Sequence, residues 1–86
     1  MAGVEEVRAG IAVANEKASA GIAALQQAAM ALEEAQLSLS QATQGSQQHE
    51  INQAHGLLAE ALNGITGMQS TIQAGISSAD AYSSRL

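Results

Sequence analysis

The sequence predicts an all-α fold: a long antiparallel two-helix hairpin with an Alacoil-like seam, associating into a four-helix bundle or larger assembly. Three observations predict it. Pro is absent from all 86 residues, which removes the strongest helix breaker. Ala, Leu, Gln and Glu, all good helix formers, supply the bulk of the chain. Two long apolar series at helical spacing stand either side of a single Gly-Ser turn signal.

The first series runs Val4, Val7, Ile11, Ala14, Ala18, Gly21, Leu25, Ala28, Leu32, Ala35, Leu39 and Ala42. Its unbroken 3,4 spacing is the pattern of a coiled-coil seam. The second runs Ile51, Ala54, Leu58, Ala61, Ile65, Met68, Ile72, Gly75, Ala79, Tyr82 and Leu86. The two are out of phase, and a turn belongs where the phase breaks. Gly45 suits a left-handed residue closing the first helix, and Ser46 suits the N-cap of the second. The expected organisation is a single hairpin over 1–86, with helix 1 about 3–43, a turn at 44–46 and helix 2 about 47–86. Each helix would be roughly 55–60 Å long at 1.5 Å per residue. Glu5, Glu6 and Glu50 suit the helix N-termini, and Arg85 suits the last turn of the second helix.

A short connection makes the helices antiparallel neighbours. One register faces the two series along their whole length, with Leu39 near Ala54, Leu32 near Ala61, Ala28 near Ile65, Gly21 near Ile72 and Ile11 near Tyr82. Large residues then meet small ones, which favours a close interhelical approach. Two layers, Ala18 beside Gly75 and Ala14 beside Ala79, are expected to be thin. Tyr82 is expected at the wide end of the seam, its ring over Ile11 and its hydroxyl in water.

Several large apolar residues fall off this seam. Val13, Met30 and Leu37 face away from it, while Ile22, Leu57, Leu62 and Ile76 flank it; these seven are the candidate interaction residues, beside the turn residues Gly45 and Ser46. Two helices bury one stripe each, so a lone hairpin would leave much of this surface wet, at ~25 cal/mol per Å². Six glycines inside the helices (Gly10, Gly21, Gly56, Gly64, Gly67, Gly75) point to close helix contacts or flexibility, and Gly64-Ile65-Thr66-Gly67 is the expected bend. Charged residues are 13% of the chain, against ~25% in average soluble domains. Such a neutral coat suits packing against further helices.

The composition excludes several classes. Net charge is −5, with Arg8, Lys17 and Arg85 the only Lys or Arg residues, which argues against nucleic-acid binding and docking on an anionic membrane. No apolar run approaches the ~20 residues of a membrane span. Cys is absent, removing disulfides and thiol chemistry. Met1-Ala2-Gly3-Val4-Glu5-Glu6 has acids where a signal peptide needs cations. The expected location is the cytoplasm, or outside the cell without a cleaved signal peptide.

No constellation for catalysis emerges. His49 and His55 are six residues apart and do not share the i, i+4 face of a zinc helix, so both read as surface histidines. Glu5-Glu6 and Glu33-Glu34 read as solvated pairs, not as a converging acid and base. Phosphate loops and Gly-x-Ser-x-Gly elbows are absent. The expectation is a non-enzymatic protein with no cofactor, metal or small-molecule substrate, whose partner is another copy or another helical protein.

The turn Gln44-Gly45-Ser46 and the ending Ala81-Tyr82-Ser83-Ser84-Arg85-Leu86 resemble small Ala-rich actinobacterial hairpin proteins. The outline is loosely similar to the type VII secretion helical-hairpin family, whose members act as dimeric secreted partners or adaptors. The W-x-G turn of that family is absent, and Tyr82 is followed four residues later by Leu86 where the family's export signal has Asp or Glu. The resemblance therefore implies only a hairpin and a partner-binding role. The alternative is a structural subunit that polymerises, since needle-type and flagellin-like helical subunits have a similar composition. A filament requires head-to-tail contacts, whereas a closed dimer requires one self-complementary face.

Overall fold

The computed structural model describes residues 3–86. Helix α1 spans Val4–Thr43 and helix α2 spans His49–Ser84. They lie side by side in a rod of 62 × 17 × 15 Å. Forty helical residues rising 1.5 Å each account for its length. The order is antiparallel: Arg8 reaches Ser83 at one end of the rod, and Ser40 reaches His55 at the other.

Local chemistry sets the helix ends. Glu5 and Glu6 sit in the first turn of α1, where an acid suits the positive end of the helix dipole. At the other end Thr43 Oγ1 donates to the Leu39 carbonyl at 2.7 Å and the Gln44 N–H donates to Ser40 O at 2.9 Å. Gly45 then takes φ +77°, a region open to glycine at little cost. The connection is longer than the sequence implies: α2 begins at His49, two residues beyond the expected start. Ser46 is not its N-cap. The Ser46 Oγ instead accepts the Gln48 N–H at 3.3 Å, a bond within the turn, and Gln48 takes the cap position without a side-chain cap. Helix α2 ends at Ser84, and Arg85 caps it just past the last turn.

The glycines of α2 do not interrupt it. Helix α2 runs unbroken through Gly64-Ile65-Thr66-Gly67, held by its own backbone ladder. A Cβ built on any glycine from Gly3 to Gly75 would meet nothing within 4 Å. Inside this hairpin the glycines therefore serve no close approach of one helix to the other.

The expected register holds, but the buried stripe is turned by one residue on alternate rows. The cross-helix bonds Asn15–Asp80, Ile22–Gln69, Arg8–Ser83 and Ser40–His55 each join residues within two positions of the expected facing pair. On α1 the row Ile11, Ala18, Leu25, Leu32, Leu39 is part-buried as expected. The second inner row is Asn15, Ile22, Ala29, Gln36, Thr43; of the expected row, Gly21 is part-buried but Ala14, Ala28, Ala35 and Ala42 are exposed. On α2 the same step replaces Ala61, Met68, Gly75 and Tyr82 with Leu62, Gln69, Ile76 and Ser83.

The reason is bulk. Turning inward by one residue encloses Ile22, Leu62 and Ile76, each worth ~1.5–3 kcal/mol when fully buried, in place of Gly21, Ala61 and Gly75. Three sequence-based expectations change with it. Ile22, Leu62 and Ile76 belong to the seam and do not flank it. The thin layers are filled, because Ile76 and Asn15 now face the seam in place of Gly75 and Ala14. Tyr82 does not close the wide end; it is 49% exposed.

The core remains slight. Among the described residues Ile65 alone is buried, at 6% exposure. The accessible surface is 6047 Å². An unfolded chain of 8.7 kDa exposes about 12,600 Å², so folding hides only about half, less than the ~60% typical of a 60-residue domain.

Candidate helix-packing surface

The seam of the hairpin consumes two rows from each helix and leaves three kinds of outer surface. Of the seven candidate interaction residues, Val13, Met30, Leu37 and Leu57 are exposed, whereas Ile22, Leu62 and Ile76 are spent within the hairpin. Met30 and Leu37 stand two turns apart, at i and i+7, on one shoulder of α1. Leu57 lies on α2 toward the opposite broad face, and Val13 is on the back of α1.

The two broad faces differ in chemistry. On one, every seventh residue of α1 from Ala12 to Ser40 is matched by every seventh of α2 from Asn52 to Asp80, and Gln26, Glu33, Thr66 and Gln73 lie among them. Two side-chain bonds cross the seam on this side: Asn15 Nδ2 donates to Asp80 Oδ1 at 2.7 Å, and Ser40 Oγ lies 3.4 Å from His55 Nε2. These bonds provide for polar residues that occupy inner positions. Gln69, another polar inner residue, donates from Nε2 to the Ile22 carbonyl at 3.5 Å.

The other broad face is apolar. It carries every seventh residue of α1 from Val7 to Ala42 and of α2 from Ala54 to Tyr82. Those eleven positions hold no charge, and the Tyr82 hydroxyl is their one polar side-chain group. Met68 and Tyr82 are each 49% exposed there. Sequence periodicity detected this row but assigned it to the seam. The signal that separates it from the true inner row is size, since its neighbours one residue on include Ile22, Leu62 and Ile76.

Titratable residues form no convergent group. Glu5, Glu6, Glu33 and Glu34 are exposed, and among the described residues the single ion pair is Arg8 Nη1 to Glu5 Oε1 at 4.0 Å along α1. His49 is exposed, while His55, read from the sequence as a surface residue, is half-buried beside Ser40. The described residues enclose no cavity and hold no cluster of three metal-ligating side chains. None of their helices is long and apolar enough to cross a membrane.

No protein-family model, curated protein or solved structure matches the chain.

Proposed function

We propose that this chain is a non-enzymatic helix-packing protein whose work is to bind other helices, as a dimer or with a helical partner. The observation that carries the reading is the unfinished burial. A folded monomer of 8.7 kDa exposes about 4,700 Å² by the usual size scaling, and this hairpin exposes about 1,300 Å² more. A standard protein interface covers ~800 Å² per partner, so the excess exceeds what one such interface would cover. A dimeric adaptor, the role suggested by the likeness to type VII secretion hairpins, is the form of this function that a closed pair of hairpins would serve.

A second reading rests on Met30 and Leu37. They are 56% and 59% exposed on a different side of the rod from Met68 and Tyr82. Apolar contacts on two sides favour growth into a larger assembly, such as a filament.

The test is thermal melting by circular dichroism over a hundredfold range of chain concentration, with light scattering on the same samples. Binding to other copies predicts a midpoint that rises with concentration and a mass above one chain, fixed for a dimer and growing for a filament. A lone chain with a steep, high-temperature and concentration-independent transition would overturn the reading.

A further inference from the structure

We infer that the apolar broad face is a homotypic interface: two hairpins stack on it face to face, forming a four-helix bundle with the polar faces outward. This rests on the helix-packing reading above and names the partner and the surface.

Three features select a second copy as the occupant. The first is area. The face runs the length of a 62 Å rod, and the hairpin's surplus surface, about 1,300 Å², is larger than the ~800 Å² that a stable interface takes from each partner. The second is charge. A two-fold interface sets a surface against itself, so a face that carries only one sign of charge has no opposite charge to meet. The chain carries −5 overall, and joining two polar faces would bury Glu33 and Asp80 with no Lys or Arg in the same rows to offset them. The rows from Val7 to Ala42 and from Ala54 to Tyr82 carry no charge. For this chain, the apolar face is the broad face that can meet itself without repulsion.

The third feature is relief. Along most of the face the side chains are Ala or Gly, so two backbones can approach toward the short end of the ~8–10 Å range. Met68 and Tyr82 project from this low surface, at heights along the rod near Ala28 and Ala14 of the neighbouring helix. In a stack related by a two-fold axis along the rod, each would settle over the other copy's small residue at its own level. Gly21 and Gly75, whose Cβ positions are open within one hairpin, then gain a role in that second contact.

The test compares equal charges on the two faces. Ala28→Glu and Met68→Glu, alone and together, mark the apolar face; Gln26→Glu and Thr66→Glu mark the polar face. Sedimentation equilibrium gives the mass, and circular dichroism confirms that each variant keeps its helix content. The wild type is expected to weigh two chains. Each apolar-face variant should weaken the dimer by about tenfold or more and the double variant should be monomeric, because a buried unpaired charge is strongly disfavoured. The polar-face variants should stay within about threefold of wild type on the same argument. Should Ala28→Glu lose helix, the uncharged Ala28→Gln replaces it, with bulk alone reducing association.

A wild type that associates but is indifferent to the double variant, or is equally sensitive on the polar face, overturns this interface and leaves the helix-packing reading standing. A wild type that is monomeric across the concentration range overturns the second copy as partner. Only a monomer that is also stable and concentration-independent removes both.

Discussion

Asn15 donates to Asp80 across 2.7 Å, tying an inner position of α1 to an outer position of α2 near the open end of the rod. The bond fixes the rotation of the two helices as well as their level. With Ala14 turned inward, as the spacing of small residues alone would have it, Asn15 would point away from the seam.

This bond should be measurable. Its acceptor is charged, but both groups are solvent-accessible, so a double-mutant cycle on Asn15→Ala and Asp80→Ala should return a coupling of about 0.5–1.5 kcal/mol in urea unfolding. A coupling of zero would show that the residues do not meet in solution.

The assignment of the seam gives a sharper contrast. Ile22→Ala removes a part-buried branched side chain and should destabilise the hairpin by about 2 kcal/mol. Val13→Ala removes an exposed one, 49% accessible on the back of α1, and should change stability by less than about 0.5 kcal/mol. Denaturant midpoints of the two variants decide it; equal losses would place the seam elsewhere.

How much of this was legible in the sequence is clear from the same residues. The hairpin, its turn around Gly45 and the level of each helix against the other follow from two periodic series and one break between them. The rotation does not, because two adjacent rows on each helix are both apolar or small. Asn15, Gln36, His55 and Gln69 made the true inner row look polar, while Ala14, Ala28 and Ala35 made its neighbour look like a core. Pattern counts both rows alike. Volume separates them, through Ile22, Leu62 and Ile76, and Asn15, His55 and Gln69 find partners only once both helices are present.

Glycine offers a test of opposite signs. Gly64→Ala and Gly67→Ala place a methyl in open space on a continuous helix, so each should stabilise by about 0.5–1 kcal/mol. Gly45→Ala places a side chain at φ +77° and should destabilise by about 1 kcal/mol. Thermal midpoints at one fixed chain concentration make the comparison.

Gln36 is an inner residue of α1, only partly exposed. Gln36→Leu exchanges a part-buried amide for apolar surface of similar length and should raise stability by about 1 kcal/mol. A loss of stability on urea titration would mean that the amide is held by a partner the exchange removes.

The rod also has a mechanical character, set by its single short connection. Val4 and Ser84 lie at one end of the rod and the turn at the other, so a force applied between them falls on one layer of the seam at a time. Such a load peels a hairpin open progressively from Arg8 and Ser83 toward Ser40 and His55. Resistance at any moment is that of one or two layers, and the first to yield are those farthest along the chain from one another. Left alone, the same geometry lets the chain close from Gly45 outward, each layer shortening the loop that the next must close.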